Sequence, residues 1–409
     1  MGRGSPWCKL VALLPLLAVW PARADFSIPG LELVYTAPLE TRLTNPDLRD
    51  PATLWCALFD QARSEIVLGQ FYAVSHPGSA FERVMASLAA AGRRGVKIRF
   101  LLEQKGVALS DPATLERLRL IPNLSLRLLD FSKLSATGII HAKYLVVDAK
   151  QAYVGSQNFD WRSFSHIHET GLAISDATVV AQLQAIFEHD WQAQAELAAG
   201  RTVAPLNLLP PPTSPGAVTL VASPYAHNPR GVGDSETALL ALLGQASTEV
   251  RISLLDYVPL AYGSGPVRQY YGVIDTALRA AAARGVNIKL LVSNWNLEHP
   301  GVDYLKSLAV LPHVQVRIIT LPQASTGPIP FARVMHSKTM SIDGKLAWIG
   351  TSNWAGGYLD RSRNLELIVR NSAMAERVAA LHEQAWSSAY AAPLDINKDY
   401  PKPNKAGAD

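Results

Sequence analysis

One short pattern of chemically active residues occurs twice in the 409-residue sequence. The pattern is H-x-K-x-x-x-x-D, formed by His141, Lys143 and Asp148 and again by His336, Lys338 and Asp343. A G-[ST]-x-N segment begins seven residues after each aspartate and ends at Asn158 or Asn353. Matching positions lie 195 residues apart, and the same offset relates Trp191 to Trp386. This regular offset indicates an internal duplication.

The residue types in this pattern suit chemistry at phosphorus. Residues two apart on a strand point to the same face, so each histidine stands beside its lysine. Lysine supplies positive charge and asparagine supplies N–H donors, which together stabilise a five-coordinate transition state without a metal. With two histidines, one attacks phosphorus to form a phosphohistidine, while the other protonates the leaving oxygen and later activates water or an alcohol. We expect phosphodiester hydrolysis or transfer, with His141 as the preferred nucleophile and His336 as the preferred acid; the reverse assignment is the alternative.

Four carboxylates accompany the two motifs. We expect Glu169 and Glu366 to orient the imidazoles through their remote nitrogens. The second assignment is the weaker one, because the position 195 residues after Glu169 is Asn364, and Glu366 lies two residues beyond it on the same strand face. Asp148 and Asp343 are expected to be mainly structural, fixing the turn or backbone donors beside the site.

Other residues are candidates for the rim of the site. Trp161, Trp295 and Trp354 are predicted to contact bases or acyl chains, with core packing as the alternative for each. Arg333 is predicted either to bind a second phosphate or to form a solvated ion pair.

No metal or cofactor is expected. His166 and His168 form an H-x-H beside Glu169, but no second cluster supplies further ligands at a known spacing. The sequence contains no G-x-S-x-G, H-E-x-x-H or P-loop motif, so serine hydrolase, zinc protease and NTPase functions lack support.

The elements around the motifs follow the same order in both halves. A β-branched run, an amphipathic helical pattern ending at Arg-Gly (Arg94-Gly95 and Arg284-Gly285) and a second apolar run predict strand, helix and parallel strand. We therefore predict an α/β protein of two homologous halves, each a mixed sheet flanked by helices. The halves are expected to pack about a pseudo-twofold axis with one shared active site, so that a monomer suffices.

Composition and the positions of apolar and proline-rich segments predict the domain organisation. Hydrophobic residues make up 48% of the chain and charged residues 18%, enough for one large core or two ordinary ones. The predicted segments are a signal peptide at 1–24, a first half at 25–204, a proline-rich linker at 205–216, a second half at 217–392 and a loose tail at 393–409.

The predicted signal peptide implies export. Its removal takes Arg3, Lys9 and Arg23 from the 38 basic residues, leaving 35 against 34 acidic ones, a net charge of +1. Cys56 is then the one remaining cysteine, so no internal disulfide is possible and stability must come from the core. We expect a periplasmic or secreted protein, and a strongly basic nucleic-acid carrier is excluded.

The two motifs, each followed by G-[ST]-x-N, resemble those of the phospholipase D superfamily across the whole mature chain. Segments 159–163, 255–259, 331–336 and 350–354 look like the short, lumenal animal and poxvirus branch. That branch includes lysosomal enzymes that act as 5′ exonucleases on single-stranded nucleic acid and that exchange lipid head groups. The chain lacks the cytosolic anchor and the disulfide cysteines of the animal members, which fits a bacterial periplasmic protein.

The resemblance specifies the type of reaction more closely than it specifies the substrate. The nearly neutral mature charge disfavours long nucleic-acid tracks, so phospholipid head groups are the preferred substrate, with peripheral membrane contact and no obligatory protein partner. The alternatives are an exonuclease on single-stranded DNA or RNA and a non-catalytic envelope protein that binds anionic phosphodiesters. The intact histidines and lysines of both motifs argue against the non-catalytic alternative.

Overall fold

A computed structural model describes Met1 and residues 26–208, 216–262 and 268–405. The strands and α-helices of the first half are, in chain order, β1 (Ser27–Ile28), β2 (Leu31–Thr36), α1 (Pro51–Gln61), β3 (Glu65–Gln70), β4 (Ala73–Val74), α2 (Phe81–Arg93), β5 (Lys97–Glu103), α3 (Pro112–Arg119), β6 (Leu124–Leu129), β7 (Tyr144–Val147), β8 (Gln151–Gly155), β9 (Phe159–Asp160), β10 (Glu169–Ile174) and α4 (Ala177–Ala198).

The second half repeats this order with one added strand at its end. Its elements are β11 (Val218–Ser223), β12 (Gly233–Asp234), α5 (Ser235–Gln245), β13 (Glu249–Leu254), β14 (Tyr257–Ala261), α6 (Val273–Ala283), β15 (Asn287–Ser293), α7 (Gly301–Ala309), β16 (Val314–Ile319), β17 (Thr339–Ile342), β18 (Leu346–Gly350), β19 (Trp354–Gly356), β20 (Asn364–Val369), α8 (Ser372–Trp386) and β21 (Ala391–Pro393).

Each half is built on one mixed sheet. The strand orders are β1-β2-β10-β8-β7-β3-β5-β6 and β12-β11-β20-β18-β17-β13-β15-β16-β21. The predicted strand–helix–strand units are present, since β3 pairs parallel with β5 and β13 pairs parallel with β15. The motif strands β7 and β17 lie at the sheet centres and pair antiparallel with both neighbours. The predicted duplicated α/β architecture is confirmed.

Local sequence signals explain where elements begin and end. The carboxylate of Asp50 accepts the Thr53 N–H at 2.9 Å and caps α1, whose first residue is proline. Gly95 and Gly285, with φ of +90° and +87°, follow α2 and α6 as the Arg-Gly pairs predicted. At the tip of the β17–β18 hairpin, Asp343 and Gly344 both have positive φ, 53° and 64°.

The two halves share one core. A buried apolar cluster combines residues of β10 and α4 from the first half with residues of β20 and α8 from the second, including Leu172, Ile174, Leu183, Leu365, Leu367 and Val378. Separate clusters lie under the outer helices of each half. The seam between the halves is therefore closed by apolar packing, which holds the motifs of both halves at one place.

The chain termini and the linker are described only in part. The predicted signal peptide and most of the predicted linker lie outside the described residues. The expectation of a loose tail is wrong for residues 393–405: Leu394 is buried in the core of the second half and β21 pairs with β16. The tail lacks an apolar period, but Leu394 packs into the core and Lys402 and Lys405 form ion pairs with Glu298. Among the described helices, none has the length and apolarity to cross a bilayer.

Candidate active site

Each catalytic histidine is held by backbone of the other half. The N–H groups of His141 and Ala142 donate to the Arg363 carbonyl at 3.0 and 2.8 Å. By pseudo-symmetry, the N–H groups of His336 and Ser337 donate to the His168 carbonyl at 2.8 and 3.0 Å. Both histidines therefore precede their motif strands and lie on the seam, so neither half can position its own histidine alone.

The two imidazoles have different partners. Nδ1 of His336 lies 2.7 Å from Oε2 of Glu169, as the sequence predicts for that glutamate. Nδ1 of His141 instead lies 3.0 Å from Oδ1 of Asn364. The Asn364 amide is oriented because its Nδ2 donates to the Tyr358 carbonyl at 2.8 Å, which leaves Oδ1 to accept from His141. A carboxylate supports one histidine and a neutral amide supports the other.

The expectation that Glu366 orients a histidine is wrong. Its buried carboxylate accepts hydrogen bonds from the hydroxyls of Ser235 and Ser352, so it contacts neither imidazole. Glu366 lies two residues after Asn364 on β20. It is on the same sheet face but about 7 Å farther along the strand, which is too far to reach the same imidazole. The register offset of 195 residues, which points from Glu169 to Asn364, was the better guide.

The two lysines are buried in the same site as the histidines. Nζ of Lys338 donates to the His336 carbonyl at 2.6 Å, and Nζ of Lys143 donates to the His141 carbonyl. Burial lowers the pKa of Lys143 well below its usual value and that of Lys338 to about 7. Burial and both ammonium groups also lower the pKa of each histidine, which places all four groups within electrostatic reach of one another.

The His336–Glu169 pair can share one proton. Burial raises the pKa of Glu169 to about 7, while burial and the two lysines lower the pKa of His336. A carboxylate in contact with an imidazole stabilises the imidazolium, so the pair holds one proton between two groups near neutral pH. His141 has no such carboxylate, and burial and the two lysines lower its pKa, which favours the neutral imidazole.

The two asparagines follow the return strands β8 and β18 as predicted. Asn158 and Asn353 are both buried, and Oδ1 of each lacks a hydrogen-bond partner within the described residues. Nδ2 of Asn353 donates to Asp256 at 3.3 Å. A buried polar atom without a partner costs about 1–3 kcal/mol, a cost that functional sites carry more often than structural ones.

The two motif aspartates lie at the far ends of the motif strands from the histidines. The Asp148 carboxylate accepts the N–H groups of Arg63, Ser64 and Glu65 at 2.8–2.9 Å. Asp343 accepts the equivalent three N–H groups of residues 247–249. They are therefore anchors of backbone donors as expected, but these donors lie at the starts of β3 and β13 and not beside the site.

Two of the four predicted rim residues are not at a rim. Trp354 is 1% exposed and its ring packs against Trp348 in the core. Arg333 is 7% exposed, and its guanidinium donates to the carbonyls of Pro322 and Leu39. The alternative of core packing therefore holds for Trp354, which follows Asn353 on an extended segment and points to the opposite face. The rim role predicted for Arg333 is wrong, because backbone carbonyls bind its buried guanidinium.

The other two rim tryptophans are half-buried. Trp161 packs against the ring of His166, with centroids 5.2 Å apart. Trp295 lies edge-on to Phe331, and Nζ of Lys405 stands 5.7 Å from its ring centroid.

Three residues of the site were missed as functional by sequence reasoning. Asn364 contacts His141, the Tyr358 ring lies 4.8 Å from the His141 ring, and Asp256 accepts from Asn353. The duplication points to Asn364 alone among these three residues, since Tyr358 and Asp256 belong to loops in which the two halves differ.

In the described part of the chain, no group of three or more His, Cys, Asp or Glu residues is arranged to hold a metal ion. His168 contacts the Ser337 hydroxyl at 2.8 Å instead.

Comparison with known proteins gives a family model and relatives that span both halves. The model described as cardiolipin synthase, PLD-like domain, matches residues 55–191 and 239–386. The chain is 30% identical over 409 residues to the 5′-3′ exonuclease PLD3 of Bos taurus, covering 90% of this chain and 81% of the relative. It is 29% identical over 369 residues to phospholipase D Z of Dictyostelium discoideum, covering 83% and 85% of the two chains.

Solved structures with this fold include a phosphatidylserine synthase of Haemophilus influenzae. The TM-score is 0.59 at 10% identity, over 90% of this chain and 88% of that one. At this identity the similarity describes the fold alone.

Proposed function

The chain belongs to the phospholipase D superfamily and is a phospholipase D-like phosphodiesterase, and we propose that it cleaves its substrate through a phosphohistidine on His141, without a metal. The observation that supports this assignment is the difference between the two imidazole partners. His141 contacts the neutral amide of Asn364, and His336 contacts the carboxylate of Glu169. A neutral imidazole suits a nucleophile, and a carboxylate-supported imidazolium suits a general acid.

The proposed reaction has two displacements at phosphorus. Nε2 of His141 attacks phosphorus and forms a P–N bond, while the bond from phosphorus to the leaving oxygen breaks and His336 gives that oxygen a proton. Water, or an alcohol in a transfer reaction, then loses a proton to His336 and attacks phosphorus, and the P–N bond breaks. Lys143 and Lys338 stabilise the charge of both transition states, which is the work that a metal ion does in other phosphodiesterases.

The substrate is a phosphodiester of a phospholipid or of a nucleic acid. Phospholipid head groups are the first candidate because the predicted mature chain is nearly neutral. The second candidate is single-stranded nucleic acid, the substrate class that the name of the Bos taurus relative indicates. Both histidines and both lysines come from one chain, which supports action as a monomer, and residues 1–24 support export, to the periplasm or outside the cell.

A substitution test addresses the chemistry. His141→Asn and His336→Asn should each lower turnover of bis(p-nitrophenyl) phosphate in chelator by a factor on the order of 1,000 or more. Rapid acid quench should trap phosphoprotein in His336→Asn and none in His141→Asn. Near-normal turnover in either variant, or loss of wild-type activity in chelator, contradicts the proposal.

Product analysis addresses the substrate. The purified protein is given phosphatidylcholine or phosphatidylglycerol vesicles in one reaction and 5′-hydroxyl single-stranded DNA in another, with chelator in both. Released head group with phosphatidic acid supports the first candidate, and mononucleotides released from the 5′ end support the second. Cleavage of neither substrate contradicts both.

A further inference from the structure

A cavity of about 460 Å³ adjoins the catalytic site on the side of the second half. Two of its lining residues also contact catalytic groups. Asp256 accepts from Nδ2 of Asn353 at 3.3 Å, and the Tyr358 ring lies 4.8 Å from the His141 ring. The cavity is therefore within reach of a substrate whose phosphate is at the histidines.

The C-terminal tail forms one wall of the cavity. Lys402 and Lys405 line it, and the Lys405 carbonyl accepts the Phe331 N–H at 2.9 Å, which sets the path of the tail. Both lysines contact Glu298, at 2.8 and 3.1 Å. The tail lies beyond the second repeat, so the first half has no counterpart of these lysines.

The charges in the cavity favour an anion. Arg268 lines the same space and makes no ion pair with any described residue, while its Nε donates to the Ala261 carbonyl at 2.7 Å. Glu298 offsets one of the two lysine charges. Burial raises the pKa of the remaining carboxyl, Asp256, so this group resists ionisation. The cavity therefore presents more positive than negative charge.

The rest of the wall carries aromatic rings, from Tyr262, Trp295 and Tyr358, as well as the small aliphatic groups of Val258, Pro300 and Ala355. Trp295 and Tyr262 line the cavity, and Nζ of Lys405 stands 5.7 Å from the Trp295 ring centroid. An acyl chain placed here would desolvate the lysines and Arg268 without replacing their hydrogen bonds. A phosphate next to a planar base satisfies both the cations and the aromatic ring.

We infer that this cavity is a second-nucleotide subsite, in which Lys402, Lys405 and Arg268 bind the phosphate next to the scissile one and Trp295 stacks on the adjoining base. The inference rests on the proposed function and selects an oligonucleotide as its substrate. A substrate with two phosphodiesters gains from this subsite, whereas a substrate with one does not fill it.

The test compares substrates of two lengths in the full-length protein. The values of kcat/KM are measured for the dinucleotide d(TpT), with one phosphodiester, and the trinucleotide d(TpTpT), with two. In the Lys402→Ala/Lys405→Ala double variant, the preference for the trinucleotide should fall about tenfold, and its KM should depend less steeply on salt. Trp295→Leu should also lower that preference. Lys398→Ala, a tail lysine outside the cavity, is the matched control and should keep it.

Three results would overturn the inference. One is a wild-type protein with equal kcat/KM for the two substrates, and another is a double variant with undiminished trinucleotide preference. The third is a double variant that loses cleavage of phosphatidylglycerol vesicles while keeping its trinucleotide preference, which would assign the cavity to a lipid head group. The proposed function fails separately, if the wild-type protein does not cleave bis(p-nitrophenyl) phosphate.

Discussion

The difference between an amide and a carboxylate beside the two imidazoles is the main asymmetry of the site at the scale of single residues. The duplication makes the two motifs equivalent in sequence, so it cannot by itself assign their roles. Because Nδ2 of Asn364 donates to the Tyr358 carbonyl, its Oδ1 faces His141 and favours the tautomer with the proton on Nδ1 and the lone pair on Nε2. Glu169 provides the negative charge that an imidazolium at His336 needs.

Substitutions at Asn364 should show this division of roles. Asn364→Ala removes the acceptor for the His141 Nδ1–H, so kcat should fall by a factor on the order of 10–100 with little change in KM. Asn364→Asp supplies a carboxylate, which raises the pKa of His141 and protonates the nucleophile at low pH. The acidic limb of the kcat–pH profile should therefore move to higher pH. An unchanged profile in Asn364→Asp would contradict a positioning role, since a merely structural residue shifts stability and not the profile.

Anion affinity should depend on pH through Lys338 and Glu169. The pKa of Lys338 is lowered to about 7 and that of Glu169 is raised to about 7, both by burial. Above that pH the lysine loses its positive charge and the glutamate gains a negative one, so both changes weaken anion binding. The inhibition constant of diethyl phosphate, which keeps one charge throughout, should rise about tenfold between pH 6 and pH 8. A constant value across this range would contradict the assignment, and Glu169→Gln should flatten the rise.

At the scale of elements, each motif strand is anchored by hydrogen bonds at both ends. The histidine end is held by backbone of the other half, and the aspartate end binds three N–H groups at the start of a neighbouring strand. This arrangement explains why histidine and aspartate share one motif although only the histidine reaches the substrate. The strand between them is a rigid spacer buried in the sheet centre.

Asp343→Asn should therefore affect stability more than catalysis. Hydrogen bonds from backbone N–H groups hold the pKa of Asp343 below its usual range, so its contribution is present above the unfolded pKa of about 4 and is lost as pH falls through the folded pKa. We expect a loss of about 2 kcal/mol in the free energy of unfolding at pH 7, shrinking below pH 4, with kcat nearly unchanged. Urea denaturation checks this, with the exposed Asp60→Asn as control. Equal effects of the two substitutions would contradict the anchoring role.

At the scale of the whole molecule, the two halves are joined by a buried ion pair as well as by apolar packing. Arg363, which precedes β20 of the second half, forms two 2.9 Å hydrogen bonds with the carboxylate of Asp190 on α4 of the first half. Both side chains are at most 1% exposed. Because the Arg363 carbonyl also accepts from His141 and Ala142, this contact links assembly of the halves to assembly of the site.

Breaking this pair should cost far more than breaking an exposed one. Asp190→Ala leaves the Arg363 guanidinium buried without its carboxylate, which typically costs about 3–5 kcal/mol. The exposed pair Arg119–Glu116 is the control, and Glu116→Ala should change stability by less than about 1 kcal/mol. Chemical denaturation measures both. Similar small losses in the two variants would show that the buried pair does not join the halves.

The sequence by itself was sufficient for the duplication, the strand–helix–strand units, the motif residues and the class of reaction. These follow from periodicity, spacing and residue chemistry, which are local or repeat at a constant offset. The Asp343-Gly344 hairpin and the glycines that end α2 and α6 are of the same kind, since each depends on the conformation of one or two residues.

Tertiary structure alone decided which side chains meet across the seam. The 195-residue offset indicated Asn364 as the counterpart of Glu169, but the contact of Asn364 with His141 depends on Arg363 packing against the histidine backbone, more than 200 positions away. Burial of Trp354 and Arg333 and docking of the tail beside Trp295 were equally beyond sequence patterns. The physical reason is that sequence periodicity records which face of an element is apolar, whereas the partner of a side chain depends on how distant elements pack.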